Sequence, residues 1–179
     1  MSLRIALLGL LAASGPASGY DLAKKFETSV AHVWQAGHSQ IYPELAKLTA
    51  DGLVAVEAEG PRGRKIYTIT PEGDAELRRW LMEHTPSTTL RSESALQAFL
   101  VPLLDPRDGV AVLRRIKKEV EGRLAELEAL RAAKNAADAR SPEEPPSRFG
   151  AYALDLGIRQ SRAALEWAED AMADLERAT

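Results

Sequence analysis

Residues 38–73 read HSQIYPELAKLTADGLVAVEAEGPRGRKIYTITPEG, and the placement of proline, glycine and apolar residues in this stretch sets a definite order of local structure. Ile41, Leu45 and Leu48 recur at helical spacing, with Ser39 positioned as an N-cap and Pro43 within or just past the first turn, where a missing N–H is best tolerated. Ser39, Gln40, Pro43, Glu44 and Lys47 fall on the opposite side of that helix, with Tyr42 at the border. Asp51-Gly52-Leu53 stops it, because Gly52 can take the left-handed C′ conformation and Leu53 can fold back on the last turn. Residues 53–57 and 65–70 are rich in Val, Ile, Tyr and Thr and read as two strands, joined by the loop AEGPRGR with its basic tip. Thr70-Pro71-Glu72 supplies an N-cap, a proline at the first helical position and an acid in the first turn. A further helix therefore runs from there through Leu77, Trp80 and Leu81 to about His84.

Upstream, residues 3–13 form a segment apolar on nearly every side, which predicts a buried helix. The extreme N-terminus imitates a secretory signal, with one basic residue, an apolar run and small residues, but Ile5, Leu8 and Ala12 fit a helical face. Ser18 and Asp21 have the spacing of a capping box, so a second helix is expected over residues 19–29, with Tyr20, Leu22, Ala23 and Phe26 inward. Trp34, in the turn that follows, reads as a core plug.

Downstream, Thr85-Pro86-Ser87-Thr88-Thr89 is a polar linker that divides the chain into residues 1–85 and 86–179. The second part is helical in character. Residues 92–104 predict one helix with Leu96, Phe99, Leu100 and Leu103 inward. Residues 106–135 predict a long helix in which Leu113, Val120 and Leu127 recur every seven positions. A proline-rich connection over residues 136–147 precedes a seam of Leu154, Ile158, Ser161, Leu165, Ala168, Met172 and Leu175, the clearest coiled-coil spacing in the chain. Two such helices separated by a flexible link are expected to pack antiparallel, and leftover apolar surface would drive dimerisation. Leu154, Ile158, Leu165, Met172 and Leu175 are the dimerisation candidates.

The chain of 179 residues, with 45% hydrophobic content, a net charge of −3 and no cysteine, has the composition of an ordinary globular protein. Absence of cysteine excludes disulfides and thiolate zinc sites, and His32, His38 and His84 lack metal-ligand spacing. There is no P-loop and no Gly-x-Gly-x-x-Gly, and the carboxylates mostly alternate with Lys and Arg as on solvated helix faces. No catalytic set, metal or cofactor is expected, and no apolar run reaches the roughly 20 residues that cross a bilayer. The location expected from this is the cytoplasm.

A net-acidic chain binds nucleic acid only through a local patch, since affinity for phosphates comes from Lys and Arg. Arg62, Arg64 and Lys65 at the hairpin turn are the only dense basic cluster of the first half. Helix, hairpin and basic tip in that order are what a winged helix-turn-helix requires: Ser39 or Gln40 reach base edges in the major groove and the wing reaches phosphate. Taken singly, the same residues also read as an ordinary exposed helix face and a solvated turn. The fold expected is mainly α with a small β-hairpin, a winged helix-turn-helix followed by an all-helical dimerisation domain.

The runs SGYDLAKKF, HVWQAGHSQIYPELAKLTADGLV and RKIYTITPEGDAELRRWL closely resemble the PadR family of bacterial transcriptional regulators, across nearly all of residues 3–84. FGAYALDLGI in the tail resembles the helical C-terminal domain of the longer members, which include phenolic-acid-responsive repressors. The resemblance implies a homodimer with interlocking tails that binds a pseudo-palindromic double-stranded DNA operator and represses transcription. Carried over by position, Ser39, Gln40, Tyr42 and Lys47 lie on or beside the recognition helix, and Arg62, Arg64 and Lys65 lie in the wing. It also implies a small aromatic acid as effector. No spacing in the sequence defines a pocket for it, and Trp34 and Tyr152 stand as candidate lining residues. Because a fold does not dictate a function, a protein-binding adaptor built on a winged-helix scaffold is the alternative, supported by the acidic charge balance.

Overall fold

A computed structural model describes residues 2–27, 38–60, 64–86, 92–140 and 148–177. The chain divides into two compact units, Met1–Ser87 and Thr88–Thr179.

The first unit is built on α1 (Ser2–Ser14), whose Ile5, Leu7, Leu8, Leu10 and Leu11 are all buried, as an all-round apolar helix requires. Burial of each such side chain is worth about 1.5–3 kcal/mol. Gly15, in the left-handed region at φ 72°, turns the chain into β1 (Ala17–Ser18). Ser18 then caps α2 (Gly19–Lys25): its Oγ accepts from the Asp21 N–H at 3.2 Å, and the Asp21 carboxylate accepts from the Ser18 N–H at 3.4 Å. Phe26 and Glu27 follow as a wider π-type turn, and Leu22, Ala23 and Phe26 enter the core. Tyr20 does not. It is 63% exposed, because Leu22, Ala23 and Phe26 define the buried arc of this short helix and Tyr20 lies off its flank.

Helix α3 (His38–Ala50) buries Ile41, Leu45 and Leu48. Ser39 lies inside its first turn and not at its N-cap, since the helix is already formed at His38. The stop is a complete Schellman motif. Gly52 has φ 73°, the Leu53 N–H reaches the Leu48 carbonyl at 3.0 Å, and the Gly52 N–H reaches that of Thr49 at 3.1 Å.

Strands β2 (Val54–Gly60) and β3 (Arg64–Ile69) pair antiparallel, from Val54 opposite Ile69 to Gly60 opposite Arg64, with a bulge between Val56 and Ala58. The hairpin is thus longer than the β-propensity suggests: the ladder reaches into the Gly- and Glu-containing segment, which backbone pairing carries without favourable side chains. On its other edge β3 pairs with β1, Ala17 opposite Tyr67 and Ser18 opposite Ile66, giving a three-stranded sheet in the order β1-β3-β2.

Helix α4 (Pro71–Glu83) starts on Thr70, whose Oγ1 accepts from the Gly73 N–H at 3.0 Å and donates to the Gly52 carbonyl at 2.8 Å. The Thr70 N–H donates to the Leu53 carbonyl at 3.1 Å. The end of α3 and the start of α4 are therefore clasped together. Gly73 is part of the clasp, because a Cβ there would stand 2.1 Å from the Leu53 oxygen.

The second unit contains α5 (Glu93–Leu100), a 3-10 turn (Val101–Leu103), α6 (Pro106–Arg140) and α7 (Ala151–Arg177). At about 1.5 Å per residue, the 35 residues of α6 span roughly 50 Å. It continues through Ala136 to Arg140, so the expected connection begins later than the polar composition suggests, and residues 141–147 lie outside the described residues. Helices α6 and α7 pack antiparallel: Arg114 pairs with Glu176 at 3.4 Å near one end, Lys117 with Glu169 at 2.6 Å, and Glu128 with Arg162 at 2.6 Å further along. Leu113, Leu127, Leu154, Ile158, Ser161 and Ala168 are buried. Small residues allow the approach: a Cβ on Gly109 would lie 2.8 Å from the Leu175 side chain, and one on Gly157 would lie 3.3 Å from Leu127.

The inward face expected for α5 is outward in the single chain, with Leu96 58%, Phe99 79%, Leu100 43% and Leu103 81% exposed. Helical spacing identifies an apolar face but not what covers it, and among the described residues these side chains stay largely exposed.

Gly73→Ala is expected to destabilise the first unit by about 2–3 kcal/mol, the range for a steric clash with backbone in a packed site. Gly122→Ala, in the interior of α6 with nothing within 4 Å of the new Cβ, should stabilise the second unit by about 0.5–1 kcal/mol. Thermal unfolding of the two variants beside the parent checks both signs; a Gly73→Ala protein melting at the parental temperature would contradict the clasp.

Candidate nucleic-acid interface

The outward side of α3 carries Ser39, Gln40, Pro43 and Lys47, all exposed, with Tyr42 at 48% exposure on its edge. Pro43 is the sixth residue of the helix, so its missing N–H leaves the Ser39 carbonyl without its helical donor. Lys47 lies 3.7 Å from Glu44 one turn earlier, a solvated pair. Polar groups thus project from a helix whose other side is locked into the core by Ile41, Leu45 and Leu48.

Beside this helix lies a depression of about 580 Å³, bounded by Ser18, Gly19, Tyr20, Asp21, Tyr42, Arg64, Lys65 and Tyr67. Three separate chain segments meet there, and each is positioned by a feature already described. Tyr42 leans across the start of α2, where a Cβ on Gly19 would come within 2.6 Å of its ring. Only a residue without a side chain admits that packing. Ser18 sits opposite Ile66 in the ladder, which places Arg64 at the diagonal position on the neighbouring strand. The Arg64 guanidinium accordingly donates to Asp21 Oδ2 at 2.8 Å and lies 3.4 Å from Ser18 Oγ.

Hydrogen bonding from Ser18 holds the Asp21 carboxyl below the usual carboxylate range; partial burial opposes this, and the hydrogen bond from Arg64 reinforces it. Tyr67 is shifted the other way: burial, and then the neighbouring Tyr42, push its phenol above the ordinary tyrosine value. Hydroxyl donors, a guanidinium and an ammonium around an open concavity suit a phosphodiester oxygen, while the α3 side chains suit base edges.

Of the residues expected from the sequence, Tyr42, Arg64 and Lys65 are brought together in this depression, and Ser39, Gln40 and Lys47 stand on the adjoining helix face. Arg62 and Trp34 lie outside the described residues. Arg64 opens β3 and belongs to the ladder, not to the loop tip. Sequence reasoning missed Ser18, Tyr20, Asp21 and Tyr67 as members of the site. Ser18 and Asp21 carried a capping signal only, and the two-residue strand that brings them to Arg64 is too short to show periodicity.

Tyr152 lies in the first turn of α7 at 75% exposure. It is not among the residues that line a groove of about 500 Å³ between α5, α6 and α7, bounded by Gln97, Ile116, Arg123, Gln160 and Trp167 among others. Leu154, Ile158, Leu165, Met172 and Leu175, expected at a dimer seam, are buried or half-buried within the single chain, on the seam that α7 shares with α6. Among the described residues no cluster of His, Asp or Glu could hold a metal ion, and no helix is long and apolar enough to cross a membrane.

Comparison with known proteins adds relatives to this geometry. Residues 7–79 match the transcriptional regulator PadR-like family, and residues 90–176 match the virulence activator alpha C-terminal family. The negative transcriptional regulator PadR of Bacillus subtilis is 31% identical over 184 residues, covering 98% of both chains. Its crystal structure with operator DNA is similar with a TM-score of 0.77 at 29% identity, and its structure with p-coumaric acid with 0.80 at 30%. Each covers 98% of this chain and 99% of the other. The Vibrio cholerae virulence activator AphA is similar with a TM-score of 0.77 at 26% identity, covering 99% of both chains.

The environment of Tyr67 can be read directly. Tyr67 should ionise above the ordinary tyrosine value near 10 in an ultraviolet titration of the folded protein, and Tyr67→Phe should delete that step. A folded pKa raised above the unfolded one means this group's contribution to stability is complete below the unfolded value and is lost as pH rises through the folded one. Loss of an early step in Tyr67→Phe would refute the assignment.

Proposed function

The chain belongs to the PadR family of transcriptional regulators, and from that premise we propose that it is a ligand-responsive repressor that binds a double-stranded operator as a homodimer in the cytoplasm. The observation that carries the DNA reading is the convergence of Tyr42 from α3, Tyr20 from α2 and Arg64 and Lys65 from β3 on one open depression beside the polar face of α3. In this reading α3 enters the major groove with Ser39 and Gln40 at base edges, and Tyr42, Arg64 and Lys65, with Arg62 in the wing and Lys47 on the flank, meet the phosphate backbone. The solved operator complex of the Bacillus relative supports it.

Dimerisation is supported by the uncovered apolar face of Leu96, Phe99, Leu100 and Leu103. These large side chains exceed the scattered exposure usual on a monomer. Assigning the contact to this face as well as to the α7 seam is supported by the burial of Leu154 and Ile158 against Leu127 of the same chain. Two copies then present two α3 helices to successive major grooves about 34 Å apart. A small aromatic acid is the proposed effector, supported by the p-coumaric acid complex of the Bacillus relative, with Trp34 and Tyr152 as lining candidates. The effector acts by favouring a dimer whose helix spacing no longer matches the grooves. No catalytic step belongs to this reading.

Binding to the duplex upstream of its own gene, measured across a range of salt, tests the function. Lys65→Ala should weaken binding to operator and unrelated duplex alike and flatten the salt dependence by roughly 0.9 per protomer, one phosphate contact. Gln40→Ala should narrow the gap between the two duplexes by about 1–3 kcal/mol, the worth of one base contact. A parent protein showing no salt-sensitive, sequence-preferring binding would remove the DNA reading. Independently, Phe99→Glu with Leu103→Glu should sediment as a folded monomer at micromolar concentration, and a dimer of unchanged affinity would place the contact elsewhere.

A further inference from the structure

The chemistry of the capping box at α2 asks for less than the chain supplies. Ser18 alone satisfies the Asp21 N–H, and a neutral amide at position 21 could return the second hydrogen bond to the Ser18 backbone. Asp21 instead brings a full negative charge to the wall of the depression, where its Oδ2 accepts from Ser18 Oγ at 2.6 Å and from Arg64 at 2.8 Å. Both ends of the Asp21–Arg64 pair are open to solvent, with side chains 40% and 58% exposed. An ion pair so exposed contributes little to stability. Its position matters more: of the charged side chains bounding the depression, Arg64 and Lys65 are cations and Asp21 is the anion set against them.

We propose that Asp21 is a built-in counterion for Arg64, competing with DNA phosphate for that guanidinium and lowering affinity for every duplex irrespective of sequence. The inference rests on the DNA reading above. Non-specific affinity is set by how many protein cations replace counterions on the phosphates, and a cation already neutralised from within counts for less. A phosphate entering the depression meets the Asp21 carboxylate as a repelling neighbour and must share or displace it at Arg64. Holding down this sequence-independent term leaves occupancy to depend on the base contacts of α3, which widens the ratio between operator and bulk DNA. Asp21 also holds Arg64 toward α2, so that the start of β3 and the start of α2 share one charge.

The test compares the full chain, Asp21→Asn, Arg64→Ala, Lys65→Ala and Asp21→Asn with Arg64→Ala, each checked by thermal melting. Binding to an operator-bearing duplex and a scrambled duplex is followed over salt. Asp21→Asn should tighten both duplexes by the same factor, several-fold to about tenfold, and steepen the salt dependence by roughly 0.9 per protomer. Arg64→Ala should weaken binding to both duplexes alike, because it removes a cation and leaves the Asp21 carboxylate unpaired beside the phosphate. The double variant should gain less over Arg64→Ala than Asp21→Asn gains over the parent, since only the direct repulsion between the carboxylate and phosphate is left to relieve. Weaker binding or an unchanged salt dependence in a folded Asp21→Asn protein overturns the proposal, as does an Asp21→Asn gain that is undiminished in the Arg64→Ala background. If the parent binds neither duplex in a salt-sensitive way, the DNA reading falls and the counterion role falls with it. Parental binding with an inert Asp21→Asn overturns the counterion role alone.

Discussion

Antiparallel pairing of Ala17 and Ser18 with Tyr67 and Ile66 joins two requirements in one short contact. The pairing continues the sheet past β3, and its last residue is also the N-cap of α2. Ser18 therefore cannot move without disturbing both a strand ladder and a helix start. Everything that defines the depression follows from that coupling. Asp21 is carried to Arg64 by the cap, Gly19 is placed where the Tyr42 ring needs room, and Tyr20 is turned outward at the rim. The contact is only two residues long, and it is protected because Ala17, Ser18 and Gly19 are buried and α1 closes over the same core.

The second unit follows a different logic, since its described residues form no sheet and its stability rests on one long antiparallel contact. Gly109, Gly157, Ser161 and Ala168 keep the α6 and α7 backbones close, and the charged pairs at its margins register the two helices without adding much energy. A two-helix contact buries one face of each helix and leaves the others. The α5 face and Leu156 of α7, 56% exposed, are among the apolar surfaces that remain, and Trp167 at 41% exposure borders the groove between α5, α6 and α7. On the dimer reading these surfaces are completed by a second copy, so the protomer is a folded half of a larger core.

Elements defined by periodicity or by turn chemistry were legible in the sequence. The buried set Ile41, Leu45 and Leu48, the stop at Gly52, the start at Thr70-Pro71 and the α7 seam through Leu154, Ile158 and Ala168 all depend on local spacing, and the structure has them in place. Features that arise only when distant segments meet were not legible. Strand β1 is two residues long and has no period. Gly73 looks like a permissive residue in a helical first turn, yet it is needed because the Leu53 carbonyl passes so close. Arg64 reads locally as part of a basic loop tip, whereas its partner lies 43 positions earlier in the chain. The face of α5 illustrates the same limit: its amphipathic spacing is plain, but spacing does not say whether the covering surface belongs to the same chain.

The charge balance connects the two units. A protein of net charge −3 has little long-range attraction for DNA to draw on, and the described depression offers few cations, one of them paired internally. A single copy of such a site would bind weakly at physiological salt. Linking two copies makes the second contact intramolecular, which raises affinity without any new interaction. The arrangement favours operators with two correctly spaced half-sites over isolated half-sites. It also makes binding sensitive to anything that alters the spacing between copies, because a weak half-site cannot hold DNA once its twin is displaced. On the proposed function, low charge in the reading unit is thus what would let a change in the helical unit control DNA release.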